Sequence, residues 1–400
     1  MYRSGICRNC LSDNENGSWV KGTMEIINLL WNYIVPFLIV LTLLVFVHEM
    51  GHYWVARRNR VRVEVFSVGF GGELFGWTDK HDTRWRISWI PLGGYVRFFG
   101  DANAASTTSQ GLDSLSPAER SVCFHHKTLA QRAAIIVAGP AANFILAIVL
   151  YAGLFVFVGQ VHTPPVVGSV IDKSAAANAG FIAGDRVISM DGASIKRFQD
   201  MQRIVSMNPG KEILTVVQRD GVEIIVTPVP DLVEAVDRFG NRYELGRLGI
   251  TGSGVEYIRY SPATALWRAT EETVSISLAT LDYVGQMITG RRSTQELGGP
   301  VRIAQLSGQM WQLGIVALIS FAAILSINLG LINLFPIPML DGGHLLFYVI
   351  EALRGRPLAE RLREYAFRVG LLLVLGLFVF VTWNDLKNMN MFSYFVNALY

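Results

Sequence analysis

Charge is scarce in this 400-residue chain: Asp, Glu, Lys and Arg make up 17% of it, while 51% is hydrophobic. A soluble domain usually carries about 25% charged residues. The balance therefore excludes an ordinary soluble enzyme and favours a polytopic membrane protein with a soluble insert. A net charge of +3 gives no sign of nucleic-acid binding. Cysteine is rarer still. Cys7, Cys10 and Cys123 cannot build a disulfide framework, and Cys7-x-x-Cys10 lacks the second pair of a zinc knuckle. Residues 1–23 are not expected to form a cleavable signal peptide, because the apolar run after them is long and continues directly into a polar motif. They are polar and Gly/Asn/Ser-rich, and read as a disordered leader or a misassigned start ahead of Met24. No inverted repeat is found, which argues against a transporter.

What is abundant is long apolar sequence. Four stretches, at about 29–55, 133–158, 313–340 and 369–383, are long enough to cross a hydrocarbon layer of about 30 Å. Basic residues set the expected orientation. Arg57, Arg58, Arg60 and Arg62 follow the first span, and Arg354, Arg356, Arg361 and Arg363 lie between the third and fourth. Those loops are expected in the cytoplasm, and the 160–312 segment and both termini on the other side. For a bacterial cell that means a multi-pass inner-membrane protein with a periplasmic insert.

Inside the first span stands His48-Glu49-Met50-Gly51-His52. Residues four apart share a helix face, so both imidazoles can reach one metal ion. Imidazole suits zinc, and a catalytic zinc site keeps a position open for water. Glu49, directly after the first ligand, is placed to take a proton from that water. Ionisable groups at membrane depth are costly and mark function.

Two histidines leave zinc short of a third ligand. The source expected is Asn333-Leu334-Phe335-Pro336-Ile337-Pro338-Met339-Leu340-Asp341-Gly342-Gly343-His344, where two prolines must break the third span. Broken helix at membrane depth borders a cavity. The first and third spans cross in the same direction, so His48 and Asp341 end at compatible heights. Asp341 is the expected ligand, with His344 competing. Among the remaining histidines, His81, His125, His126 and His162 are expected in loops without a metal role.

Between the first two spans, residues 61–100 alternate like strands and turn at Gly69-Phe70-Gly71-Gly72 and Pro91-Leu92-Gly93-Gly94. Membrane-associated β-hairpins beside the metal helix are expected. Later, Ala179-Gly180-Phe181-Ile182-Ala183-Gly184-Asp185 leads into Val187-Ile188-Ser189-Met190-Asp191-Gly192, then a helix over 198–206 and two strands joined by Arg219-Asp220-Gly221. This grammar resembles a bacterial PDZ domain, a module that binds extended peptide at a sheet edge. Residues 261–309 carry amphipathic helical patterns, expected to lie at the outer membrane interface.

Together, the metal motif, the PDZ insert between spans two and three, and Asn333-x-x-Pro336-x-Pro338-x-Leu340-Asp341-Gly342 resemble the site-2 protease family of intramembrane zinc metalloproteases. The order of parts is similar to its bacterial RseP type, here with a single PDZ domain where that type often carries two. The resemblance implies His48, His52 and Asp341 as zinc ligands and Glu49 as catalytic acid/base. It implies substrate-binding roles for Asn333, Asn328, Asn143 in Gly139-Pro140-Ala141-Ala142-Asn143, and Gly71, Gly93 and Gly94 of the hairpin region. The fold class expected is a polytopic α-helical membrane protein with four transmembrane helices, membrane-associated β-hairpins and one periplasmic PDZ (α+β) domain. It divides into a leader 1–23, first span 24–57, hairpin region 58–128, second span 129–160, PDZ 161–236 and linker 237–312. The third span (313–345), a loop with the fourth span (346–385) and a tail (386–400) follow. Expected partners are single-span membrane proteins or remnant signal peptides, the lipid bilayer, and a peptide or trimmed substrate terminus at the PDZ domain. The competing reading is a non-catalytic PDZ-bearing membrane scaffold, whose metal would be structural or absent.

Overall fold

A computed structural model of the chain describes residues 30–101, 115–236, 242–289, 298–356 and 358–388. The leader 1–23, Cys7-x-x-Cys10 and residues 389–400 lie outside them. The chain divides into two compact units, Gly153–Ala265 and the remainder on either side of it.

The first unit begins with a π-helical turn at Leu30–Ile34 that runs into helix α1 (Val35–Arg58). Pro36 sits in its first turn, where no backbone donor is needed, and Arg57 and Arg58 complement the dipole in its last. Strands β1 (Val63–Thr78) and β2 (Arg84–Phe98) follow. Each folds back at a glycine corner. Phe66 pairs with Val96 on one side and Trp85 on the other, and Trp77 pairs with Trp85. Four short segments therefore lie side by side, with 94–98 along one edge. Helix α2 (Pro117–Val122) starts at a Ser116/Glu119 capping box. Helix α3 (Leu129–Phe157) contains Pro140.

The second unit holds β3 (Gln160–His162), β4 (Val167–Val170), α4 (Ala175–Asn178), β5 (Arg186–Met190), β6 (Ala193–Ser194), α5 (Phe198–Met207), β7 (Thr215–Arg219) and β8 (Val222–Val226). It continues through β9 (Asp231–Val236), β10 (Arg242–Arg247), β11 (Ile250–Gly252) and β12 (Glu256–Ile258). Its main sheet has the order β6-β5-β7-β8. Asp220 and Gly221 take φ of 50° and 86°, as a tight turn between β7 and β8 requires. The recurring sequence grammar has physical content here. Phe181 plugs a core of Val187, Met190, Met201, Ile213 and Val217. Asp185 is fully buried, accepts the Ile182 amide at 2.9 Å and is held at both oxygens by Arg219 at 2.8 Å. The unit does not stop at 236. Ile250 returns to pair with Val170 and Tyr257 with Val161, so the first part of the expected linker belongs to the folded insert. Such long-range closure leaves no local signal.

The chain then re-enters the first unit through α6 (Pro262–Ile288), α7 (Pro300–Leu313), α8 (Ile315–Leu334), α9 (Asp341–Arg354) and α10 (Glu360–Asn388). The Asp385 carboxylate on α10 accepts the Gly299 and Arg302 amides at 2.9 Å and so caps the start of α7. Among the described residues, four helices are long and apolar enough to cross a membrane: Leu30–Arg58, Leu129–Phe157, Ile315–Leu334 and Arg361–Lys387. The third is shorter than expected because Pro336 and Pro338 cannot continue it, and Met339 turns the chain with φ of 88°. The fourth is longer than expected. Val40 and Leu44 of α1 pack on Leu318 and Ala322 of α8. Tyr53, Ala56, Phe66, Val96, Phe98 and Ile135 join α1, the sheet and α3 in one core.

Candidate metal centre and active site

His48 and His52 lie on α1, both buried, with Nε2 atoms 3.2 Å apart. Asp341 begins α9, and its Oδ2 lies 3.2 Å from His48 Nε2 and 3.5 Å from His52 Nε2. The reason it can come so close is the break after α8. Gly342 and Gly343 let the new helix turn tightly against the proline segment, since a Cβ on either would sit 2.2–2.4 Å from the Phe335 and Ile337 carbonyl oxygens.

Among the described residues these three donors form a metal-binding group. The donor set fits zinc. Tetrahedral ligands at about 2.0–2.1 Å stand about 3.3–3.4 Å from each other, and the three separations here bracket that value. Asp341 Oδ2 is buried and has no hydrogen-bond partner, which a cation between the three atoms would supply. Three protein ligands leave one position open, as in catalytic sites rather than closed structural ones.

The ring orientations are set by α3. His52 Nδ1–H donates to the Ile135 carbonyl at 2.8 Å. His48 Nδ1 faces the Asn143 side-chain amide at 3.2 Å. Metal on Nε2 would require the proton on Nδ1, and the Asn143 Oδ1, otherwise without a partner, is the acceptor that a turn of the amide would offer it. Gly139 makes this packing possible. A Cβ there would lie 2.2 Å from His52 Nε2 and 2.9 Å from His48 Cε1.

The ligands and Glu49 open onto a cavity of about 340 Å³, lined further by Phe70, Gly93, Gly94, Tyr95, Leu329, Asn333 and His344. Of the expected substrate contacts, Asn333, Gly93 and Gly94 line this cavity. The three others do not line it. Asn143 is fully buried behind His48 and positions a ligand. Asn328 turns away from the cavity, its Oδ1 accepting the Thr280 hydroxyl of α6 at 3.4 Å. Gly71 forms the corner, but its surroundings are open, with nothing within 3.9 Å of an added Cβ. The neighbouring Phe70 does the lining, its ring 2.3 Å from where a Gly93 Cβ would be and stacked on Tyr95 at 6.1 Å. His344 lines the cavity without joining the metal group; its ring packs on Phe367 at 5.1 Å. Phe70 and Tyr95 escaped the sequence reading because aromatics are abundant throughout the hairpin region. The rest of Gly139's role was visible only as a motif beside Pro140.

Residues 36–377 match the model of a family described as peptidase family M50. A protein of Agrobacterium fabrum with the provisional name zinc metalloprotease is 50% identical over 365 residues, covering 90% of this chain and 97% of its own. One from Rhizobium meliloti, under the same provisional name, is 49% identical over 361 residues, with 89% and 96% covered. Metalloprotease MmpA of Caulobacter vibrioides is 38% identical over 391 residues, with 92% and 98% covered. Among solved structures, a PDZ domain of an SdrC-like protein from Listeria monocytogenes matches 23% of this chain and 88% of its own, at 23% identity and a TM-score of 0.18. With the family match running from the first span into the fourth and a three-ligand centre beside Glu49, this chain belongs to peptidase family M50, the site-2 protease family, and is a zinc metalloprotease with membrane-spanning helices.

Proposed function

We propose that the protein hydrolyses peptide bonds of single-span membrane proteins within the bilayer, acting on membrane-bound regulators or remnant signal peptides in the inner membrane of a bacterial cell. The observation that carries this reading is the position of the cavity. Glu49, the metal donors and Asn333 face the same space as residues 94–98, an outer segment of the folded sheet. An unwound substrate has free backbone groups at the point of cleavage, and an edge segment with an asparagine opposite can hold them. Such a pair orients the scissile carbonyl toward His48, His52 and Asp341.

His48, His52 and Asp341 would hold the zinc, which would supply an acidified water and polarise the scissile carbonyl. Glu49 takes the proton of the attacking water and returns it to the leaving amine. Asn143 and the Ile135 carbonyl keep both imidazoles aimed while this happens.

The arginines after the first span and between the third and fourth favour the cytoplasm for the metal-centre end, and hence the periplasm for the insert. Within the insert, Met201, Val205, Leu248 and Ile250 line a groove between α5 and β11. A peptide or trimmed substrate terminus docks there, so that the insert selects substrates already shortened on that side. The scaffold reading is disfavoured because a structural site would have a fourth protein ligand, and the metal group has three.

The test is cleavage of a single-span reporter in detergent, with zinc content measured in parallel. Glu49→Gln keeps zinc and loses cleavage by about 100-fold or more, and product masses place the cut within the reporter's apolar segment. Equal cleavage by both proteins would remove Glu49 from the chemistry, and a cut outside that segment would refute intramembrane hydrolysis.

A further inference from the structure

The long helix α6 is too polar to qualify as a span by hydropathy, and its amphipathic sequence reads as a helix lying flat at the membrane surface. We infer that α6 instead enters the bilayer alongside the spans, with acyl chains as the partner of its exposed apolar stripe.

The argument starts from the register of α3 and α8. Ser326 Oγ donates to the Asn143 carbonyl at 2.8 Å, and a Cβ on Gly330 would lie 3.2 Å from the Pro140 carbonyl oxygen, beside the Phe144 ring at 3.1 Å. These two spans are therefore antiparallel, and Asn328 sits level with residues 141–142 of α3. Helix α6 comes near this ladder at two heights. Glu272 stands within electrostatic range of the Tyr151 hydroxyl of α3, and Thr280 bonds Asn328 of α8 at 3.4 Å. From Glu272 to Thr280, α6 advances eight residues, about 12 Å at 1.5 Å per residue. From Tyr151 to residues 141–142, α3 covers nine or ten residues, about 14 Å. A helix crossing the bundle at right angles would hold one height over that distance. The two lengths agree, so α6 runs along the spans.

Its surface is built for that place. The face toward the bundle carries Ala269, Thr273, Ser277 and Thr280 at helical spacing. The hydroxyls of Thr273 and Ser277 bond the carbonyls four residues back, at 2.8 and 2.7 Å, and so need no water. No charge occurs between Glu272 and Asp282, and the Asp282 carboxylate accepts the Gln286 amide at 2.8 Å. The neighbouring exposed stripe is apolar over Val274, Leu278 and Leu281, and ends toward the helix start at Glu271, whose carboxylate accepts the indole N–H of the exposed Trp267 at 2.9 Å, a polar pair suited to the membrane–water boundary. That stripe continues the apolar outer surface of the spans, and acyl chains fit it where water does not. Asn328 is consequently covered from the membrane side by α6, and a substrate reaches it only where α6 has moved aside.

The test is the immersion depth of nitroxide labels on the full-length protein in liposomes, read from relaxation by oxygen against a water-soluble nickel complex. Labels go on single cysteines at positions 267, 274 and 278, with the exposed Leu372 of α10 as the in-bilayer reference. The depth is expected to increase steadily from 267 to 278, by about 16 Å for eleven residues along the bilayer normal. Equal depths at the three positions, or preferential relaxation by the nickel complex at 278, would overturn the inference. A photoreactive residue at 278, in a chain with its native cysteines, gives an independent reading. Cross-linking to phospholipid supports immersion, and labelling by water without lipid adducts refutes it.

Discussion

Gly139→Ala tests how the metal centre is assembled. The added methyl would stand 2.2 Å from His52 Nε2, 2.5 Å from His52 Cε1 and 2.9 Å from His48 Cε1. Ordinary contact needs about 3.5 Å, so helix and ring must separate by about 1.3 Å. Neither side yields easily. The His52 ring is tied to the Ile135 carbonyl and the His48 ring to Asn143, and both anchors stand on the same helix as Gly139. Moving α3 away also pulls on its contact with α1 at Gly51, where a Cβ would lie 2.2 Å from the Ala138 carbonyl oxygen. Metal sites tolerate displacements of about 0.2 Å. Loss of an outer hydrogen bond alone weakens metal binding about 10- to 100-fold. The variant is therefore expected to bind zinc at least 100-fold more weakly, and to lose reporter cleavage in proportion at limiting zinc. The assay is competition against a zinc chelator in detergent, followed by zinc content after gel filtration, with the elution profile as the check on folding. Gly153→Ala is the control, because Gly153 is half-buried in the same helix and nothing lies within 4 Å of its added Cβ; replacing such a helical glycine by alanine gains up to about 1 kcal/mol. If Gly139→Ala bound zinc within twofold of wild type while eluting normally, the argument that this glycine sets the ligand spacing would be wrong.

Asn143→Ala should weaken zinc binding about 10- to 100-fold yet recover much of its cleavage at saturating zinc, because the residue positions His48 and does not line the cavity; a variant loaded with zinc but still inactive would point to substrate contact instead. In the inserted unit, burial pushes the Asp185 carboxyl up, but its bonds to Arg219 and the Ile182 amide outweigh this and hold it below the usual carboxylate range. A depressed folded pKa gives stability that is present above the unfolded value of about 3.9 and lost as pH falls through the folded one. Arg219→Gln should accordingly lower the unit's resistance to proteolysis at pH 7, with the difference from wild type shrinking below pH 4. A difference that stayed constant from pH 7 to pH 3 would refute the ion-pair account.

The sequence by itself determined the chemistry and the number of spans. Helical spacing places His48 and His52 on one face whatever surrounds them, Pro336 and Pro338 must break the third span, and long apolar runs have few alternatives to crossing a bilayer. It also marked Asp341 as the partner, since a carboxylate directly after the uncharged run 303–340 needs compensation. Only the tertiary structure decided what each polar side chain faces. Asn143, Asn328 and Asn333 look equivalent along the chain, yet one aims a ligand, one meets α6 and one lines the cavity. Position on a helix fixes an angle about its axis, while the neighbour at that angle comes from packing between segments 48 residues apart for Asn328 and 95 for Asn143. For the same reason the extent of the inserted unit, the folding of two strands into four segments and the path of α6 were not legible. Each rests on pairings between distant segments, which local periodicity does not record.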